Sequence, residues 1–420
     1  MNQQIFFWVL YDFANSFLSA AIEGLYFSQW VVIDNGFPDI WFGSTFALAT
    51  FLLLVTSPFL GAWSDFLGRK MPFLKTMTFL TIISALTLAL IANSQIKTDL
   101  KVYLALASFF FVQLFYQSSL IFYNPLLNQV SSKNNLGFIS GIGQLTNNLG
   151  FVLATGLFLL IVQKDISLFG SPGRNQVFLP ATLVFGVLSL FFLFRFKEKS
   201  TTKLSKEINF KSVYAKIIVG LGQLWRKDKN IGFFLIAFML ISDAILTANL
   251  FFAIFMDQVY KVSDTTKFIL ITIMGILVIP SCYISGKLAD RIGLKKVLVF
   301  SCLMLAFSFL FISLSTSISL LYFLIIPIGI GWGGYYTTAR AMLVDISPKN
   351  RLGEFFGFYS IFQKSASIVG PLIWGITTLL LMDLGNLKYR IAVILLVIMM
   401  FLGIGILLKV KENKQVVYST

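Results

Sequence analysis

The chain has 420 residues, of which 57% are hydrophobic and only 12% charged, with a mean hydropathy of +0.84 and a formal net charge of +15. An ordinary soluble domain carries about 25% charged residues, and no soluble fold of this size could hide so much apolar surface from water. The composition excludes a soluble enzyme, a disordered chain and a small disulfide scaffold, whereas twelve membrane helices of about 20 residues would use roughly 240 apolar residues, the number present.

Taken in chain order, apolar runs separated by short polar breaks predict twelve spans. They cover 5–33, 41–63, 72–94, 100–126, 137–162, 176–195, 231–257, 267–286, 296–315, 318–344, 354–382 and 389–409. The runs are long and continuous, as at Thr76–Ala92 and Ile391–Leu408, which does not fit the alternating strands of a membrane barrel. Met1–Gln4 has no positive charge and the first run is too long for a signal core, so it reads as a retained first span. The division expected is an N-terminal six-helix half over 1–195, a basic cytoplasmic linker over 196–230, a C-terminal six-helix half over 231–410 and a cytoplasmic tail over 411–420. Val213–Trp225 in the linker is expected to form a short interfacial helix on anionic headgroups.

Lys and Arg set the orientation. With both termini in the cytoplasm, 23 of the 33 basic residues fall on the inner side and eight on the outer side, and Arg340 and Lys364 lie within spans. That asymmetry obeys the positive-inside rule, and the opposite orientation violates it. It also explains the net charge without a nucleic-acid partner. There is no histidine, and Cys282 and Cys302 both lie inside apolar runs, so they read as packing residues, not a disulfide or a metal site.

The two halves match each other. Ser131–Gly141 aligns with Ser347–Gly357, sharing Ser, Lys, Asn, Leu and two Gly, and Gly61–Lys70 aligns with Gly286–Lys295. Asp12 and Asp243 sit at similar depth in the first span of each half. Two six-helix halves in parallel orientation are therefore expected, an arrangement that places a substrate site at the repeat interface and alternates access by rocking.

Gly286-Lys-Leu-Ala-Asp290-Arg291-Ile-Gly293-Leu-Lys295-Lys296 resembles the loop signature of the major facilitator superfamily, and Gly61-Ala-Trp-Ser-Asp65-Phe66-Leu-Gly68-Arg69-Lys70 is its first-half copy, departing at Phe66 where Arg is usual. A narrower set, Trp8-Val-Leu-Tyr11-Asp12-Phe-Ala14-Asn15-Ser16 with Phe122-Tyr-Asn124, Glu354-Phe-Phe-Gly357 and Gly370-Pro-Leu372, resembles the vacuole-effluxer-like branch, whose fungal members are autophagy-related amino-acid effluxers. The resemblance implies an all-α major facilitator fold of twelve transmembrane helices in two pseudo-symmetric halves. It also implies that spans one, four, seven and ten line the cavity.

Ionisable and amide residues at membrane depth are costly there and point to function. The candidates for substrate binding and translocation are Asp12, Asn15 and Glu23 in span one, Asn124 in span four and Gln144, Asn147 and Asn148 in span five. Asp243 and Asn249 follow in span seven, and Gln363 and Lys364 in span eleven. Glu23 is the first candidate for proton or cation coupling, and Lys364, the one deep lysine, is expected to pair with Asp243 or Glu23 or to bind a substrate carboxylate. Asp243 and Asp12 read equally well as structural caps. Asp65, Arg69, Gly286, Asp290, Arg291, Arg340 and Glu354 are the gating candidates, with Asp345 joining the second-half cluster. There, glycines let helices approach, and an Asp at a helix end can accept from a neighbouring helix N-terminus.

Gly329-Ile-Gly331-Trp-Gly333-Gly334 superficially matches a dinucleotide loop, but it lies inside an apolar span with no preceding strand, and close helix packing accounts for it. The sequence thus predicts a secondary active transporter and not an enzyme, working by alternating access. Its cargo would be a small polar metabolite, amino acids first, coupled to a proton or cation. The alternative is an exporter of amphipathic compounds, which Tyr11, Trp332, Tyr335 and Tyr336 keep open. No cofactor, metal or nucleic acid is expected. The partners are the substrate and membrane lipids, the protein is expected to be a monomer, and the location is a prokaryotic plasma membrane.

Overall fold

In hydrocarbon every backbone N–H and C=O must find its partner within the protein, so long apolar segments become helices. The computed structural model describes residues 3–131, 136–168, 170–198, 210–348 and 351–412, apart from the side chains of Asp65, 136–138, 210–213, Lys216 and Gly353. Among the described residues all regular structure is helical, and eleven helices are long and apolar enough to cross a membrane. The chain forms two compact units, Met1–Lys216 and Ile217–Thr420. Their boundary falls inside the linker helix Phe210–Lys227, which is longer than the interfacial helix expected there. Lys133 and Lys349 lie outside the described residues.

The first unit holds span one from Gln3, then Asp39–Leu67, Met71–Ala92, Thr98–Tyr123, Leu136–Gln163 and Phe178–Arg195 as spans two to six. Span one packs on five and six, span three on four and six, and span two on four. The second unit holds Lys229–Leu250, Asp264–Ile292, Leu294–Leu314 and Ile318–Ile346 as spans seven to ten, and Leu387–Lys409 as span twelve. Here span seven packs on eleven and twelve, span nine on ten and twelve, and span eight on ten. The neighbour pattern is the same in both units, as the internal repeat requires.

Span eleven corrects the expectation of one helix over 354–382. It is two helices, Leu352–Ser365 and Val369–Leu380, separated by Ala366–Ile368. The break does not show in hydropathy because its residues are small or apolar.

Spans one and seven are interrupted in matching places. Span one runs as Gln3–Leu18, a π-helical stretch Ser19–Gly24, the short helix Tyr26–Gln29 and a second π stretch Trp30–Asp34. Span seven ends at Leu250 and resumes as Phe252–Phe255 and the π stretch Met256–Tyr260. The short helices and the π stretches after them correspond at a constant offset of 226 residues. At that offset Glu23 corresponds to Asn249, and Asp12 corresponds to Phe238, so the expected equivalence of Asp12 and Asp243 is not kept.

The glycines of span ten explain the dinucleotide-like string. A Cβ at Gly333 would lie 2.7 Å from the Val278 carbonyl oxygen of span eight, and one at Gly334 would lie 2.3 Å from Ser301 Oγ of span nine. They permit close helix approach, which drives association in lipid.

Candidate functional site

In the first unit the Trp8–Ser16 segment is built into an aromatic core. Trp8 stacks on Tyr123 at 5.2 Å and 8°, and Tyr123 donates its hydroxyl to the Trp8 carbonyl oxygen at 2.7 Å. Tyr11, fully buried, shares a hydrogen bond with Thr78 Oγ1 at 2.9 Å and donates to Ser119 Oγ at 3.1 Å. Tyr11 is therefore a packed anchor between spans one, three and four. Span five closes over the same face. Asn147 Nδ2 donates to the Asp12 backbone oxygen at 3.0 Å, and Cβ atoms at Gly143 and Gly150 would lie 2.6 Å from Asp12 Oδ2 and 2.2 Å from Ser16 Oγ.

Glu23 sits half-buried in the π stretch of span one, and Gln117 Nε2 of span four donates to its Oε1 at 3.0 Å. A π turn places one extra residue in the helix and recurs at functional sites. Two further amides are buried with an oxygen that no described residue satisfies: Oδ1 of the candidate Asn15, and Oε1 of Gln113 in span four, each in a residue 2% exposed. Asn124 is exposed, at the 3-10 turn that ends span four. Gln144 is exposed and bonds to the half-buried Asn148 at 3.5 Å.

In the second unit Asp243 meets the break in span eleven. Both its carboxylate oxygens accept from the Gly370 backbone N–H at 2.9 Å, and Thr247 Oγ1 donates to Oδ1 at 3.4 Å. Gly370 is the second residue of Val369–Leu380, so the carboxylate satisfies one orphan donor of a helix that starts inside the membrane, and Pro371 lacks another. Only glycine fits, because a Cβ there would lie 2.1 Å from Thr247 Oγ1 and 2.5 Å from Asp243 Oδ1. Of the two readings of Asp243, the cap is what the geometry displays.

Lys364 lies in the last turn of Leu352–Ser365, just before the break, half-buried beside the exposed Gln363. No described salt bridge includes Lys364, and the carboxylate of Asp243, one of the three partners considered for it, is occupied by Gly370. Asn249 is exposed and opens on a cavity inside this unit, which Trp332 of span ten also lines. Tyr335 is buried, sharing a 2.7 Å hydrogen bond with Ser242, so it too is an anchor.

The loop regions differ from expectation in their partners. Arg351 Nη1 donates to Asp228 at 2.9 Å, and its Nε and Nη2 donate to Glu354 at 2.9 and 3.0 Å. Glu354 and Asp228 hold the Arg351 guanidinium above its already high range. No described hydrogen bond or salt bridge involves the side chains of Asp290, Arg291 or Arg340, which are exposed, as is Arg69. The side chain of Asp65 lies outside the described residues. Gly286 has open space before it reaches Thr337 at 4.0 Å.

The helix-capping role expected of the loop Asp is filled by two residues the sequence reading passed over. Glu198 accepts from the N–H groups of Lys70 and Met71 at 2.6 and 3.0 Å, at the start of span three. Glu412 accepts from Leu294 N–H at 2.6 Å, at the start of span nine. Each glutamate follows a lysine whose backbone is held by the first turn of its half: Gln4 accepts from Lys197 N–H at 3.0 Å, and Asn230 accepts from Lys411 N–H at 2.7 Å. The signal was present as the repeated string Arg195-Phe-Lys-Glu198 and Lys409-Val-Lys-Glu412.

Comparison with known proteins agrees with this architecture. The sequence model of the Major Facilitator Superfamily matches residues 9–371 and 233–418. The chain is 24% identical to the uncharacterized MFS-type transporter YxiO of Bacillus subtilis, across 97% of this chain and 94% of that one. It is 26% identical to autophagy-related protein 22 of Yarrowia lipolytica, across 45% of this chain and 33% of that one. Among solved structures, the D-xylose-proton symporter is 15% identical with a TM-score of 0.74, covering 97% of both chains. The nucleoside transporter NupG is 14% identical with a TM-score of 0.68, covering 98% of this chain and all of that one. The chain is therefore a multi-pass integral membrane transporter, not an enzyme, and it belongs to the major facilitator superfamily.

Proposed function

We propose that this transporter moves a small polar metabolite, amino acids first, by alternating access coupled to a proton or cation. The observation that carries the reading is Glu23, a carboxylate in a π turn of span one, half-buried and held by neutral donors, Gln117 and Ser19. A carboxylate at membrane depth with no cation beside it among the described residues is a group that can take up and release a proton or bind a cationic group. Lys364 in the second unit, outside any described ion pair, offers the opposite charge to a substrate carboxylate. The partial likeness to autophagy-related protein 22 supports the amino-acid class. Both termini are assigned to the cytoplasm from the distribution of Lys and Arg, and the short loops between spans support a prokaryotic plasma membrane. The loop clusters around Asp65, Arg69, Gly286, Asp290, Arg291, Arg340 and Glu354 are assigned to the inner gate.

The test is gradient-driven uptake in proteoliposomes. Glu23→Gln loses ion-driven accumulation and keeps substrate exchange. Accumulation at the wild-type level in that variant removes Glu23 from coupling. The second reading, export of amphipathic compounds, is favoured by the apolar cavity at Asn249 and Trp332. Inhibition by structurally unrelated lipophilic cations distinguishes it.

A further inference from the structure

The cavity inside the second unit has a chemistry of its own. It measures about 70 Å³ and lies beside the break in span seven, with walls from all six spans of this unit. Phe252, Met256, Met274, Trp332 and Trp374 supply its apolar faces, no charged residue lines it, and Asn249 is the one amide. Asn249 is exposed although it stands within a membrane span, and no described hydrogen bond engages its side chain. An amide in hydrocarbon without a partner is costly, and such residues mark ligand contacts.

The walls differ in stiffness. Trp374 is fixed, stacked on Phe251 at 4.8 Å and 9° and packed against Phe255 and Tyr389 at 6.4 and 6.2 Å. Met256 and Met274 are unbranched side chains that reshape readily. The volume is several times the ~10–15 Å³ a single water needs, and about half that of a roughly 150 Å³ apolar cavity known to take benzene. A ring therefore enters when the methionines move aside. Water is a poor tenant, because a buried water needs two to four polar partners and the walls offer one amide.

The corresponding position in the first unit is Glu23, at the same register to a matching break. One half thus presents a carboxylate where the other presents a neutral amide over an apolar chamber. We propose that this cavity is a binding site for an uncharged single-ring aromatic molecule bearing one hydrogen-bonding group, with the ring against Trp332 and Trp374 and the polar group on Asn249. The site stands independently of which metabolite is carried, because it is read from binding alone.

The probe is 4-bromobenzamide, whose heavy atom quenches indole fluorescence, added to purified protein in detergent and in nanodiscs. Saturable quenching is expected, diminished in Trp332→Phe and abolished in Ala248→Phe, which fills the chamber from span seven. Asn249→Leu weakens binding about three- to tenfold, the range for one lost neutral hydrogen bond. The charged analogue 4-bromobenzoate binds at least tenfold more weakly. If Ala248→Phe does not fold by its melting curve, Ile325→Phe narrows the same chamber from span ten. Quenching that rises linearly with probe and persists in the filled variants reflects partitioning and overturns the proposal. Equal binding of the benzoate overturns the neutral class. Quenching by lipids brominated on the acyl chain that the benzamide cannot relieve assigns the cavity to a lipid tail and overturns it as well.

Discussion

Gly370→Ala is the substitution whose consequence the structure defines most sharply. Its Cβ would lie 2.1 Å from Thr247 Oγ1 and 2.5 Å from Asp243 Oδ1, separations no real contact reaches. Span eleven must move off span seven, and the Gly370 N–H leaves the carboxylate that accepts it at 2.9 Å. Overpacking costs about 1–3 kcal/mol, and a lost hydrogen bond to a charged group about 1.5–3 kcal/mol, so about 2.5–6 kcal/mol is expected together. For a unit of this size that is a fall in melting temperature of at least about 5 °C. Cys302, fully buried and free, is the natural reporter: a thiol-reactive fluorophore labels it as the unit opens on heating at a fixed scan rate. Gly357→Ala is the control, in the first helix of the same span with nothing within 4 Å, and should melt as the wild type does. Adding Thr247→Ala to Gly370→Ala removes the closest atom and should recover part of the loss. A Gly370→Ala protein that melts with the control would refute the cap at the span-eleven break.

Three other outcomes follow from the same geometry. Gly150→Ala brings a Cβ to 2.2 Å from Ser16 Oγ and should lower stability by about 1–3 kcal/mol, with Ser16→Ala relieving it in the same thermal assay. Lys267→Met strips the cation from Asp257 and Asp264, which it meets at 2.6 and 2.8 Å while fully buried, and should cost about 3–5 kcal/mol, read as a lower melting temperature. Glu412→Ala removes the acceptor for Leu294 N–H and should cost about 1 kcal/mol, seen as faster amide exchange confined to the first turn of span nine. Unchanged exchange there would mean the cap carries no energy.

Hydropathy placed the spans because the bilayer selects length and apolarity, and both are properties of composition. It could not place the break in span eleven. Ser365-Ala366-Ser367-Ile368 is no more polar than its flanks, and the local clue was Gly370-Pro371, a pair suited to a helix start. The π stretches of span one have no compositional mark, so the register equating Glu23 with Asn249 came only from structure. Asp12 and Asp243 share a residue type without sharing a position, which identity alone could not reveal. The candidate site was legible as a set of polar residues at membrane depth. Which of them packs and which faces space was not, since Tyr11 and Tyr335 are buried anchors while Asn249 is open. The capping glutamates leave only a faint mark in the sequence, because the Lys-Glu string closing each half repeats over two residues.

Counterflow tests the proposed vectorial movement of a small zwitterionic metabolite most directly, without knowledge of the coupling ion. Proteoliposomes are loaded with a pool of unlabelled amino acids, and a labelled trace is added outside. Transient uptake above empty liposomes, abolished by an excess of the same amino acid outside, is the predicted result. No uptake from protein shown to be folded by its thiol-labelling melt would contradict the amino-acid assignment.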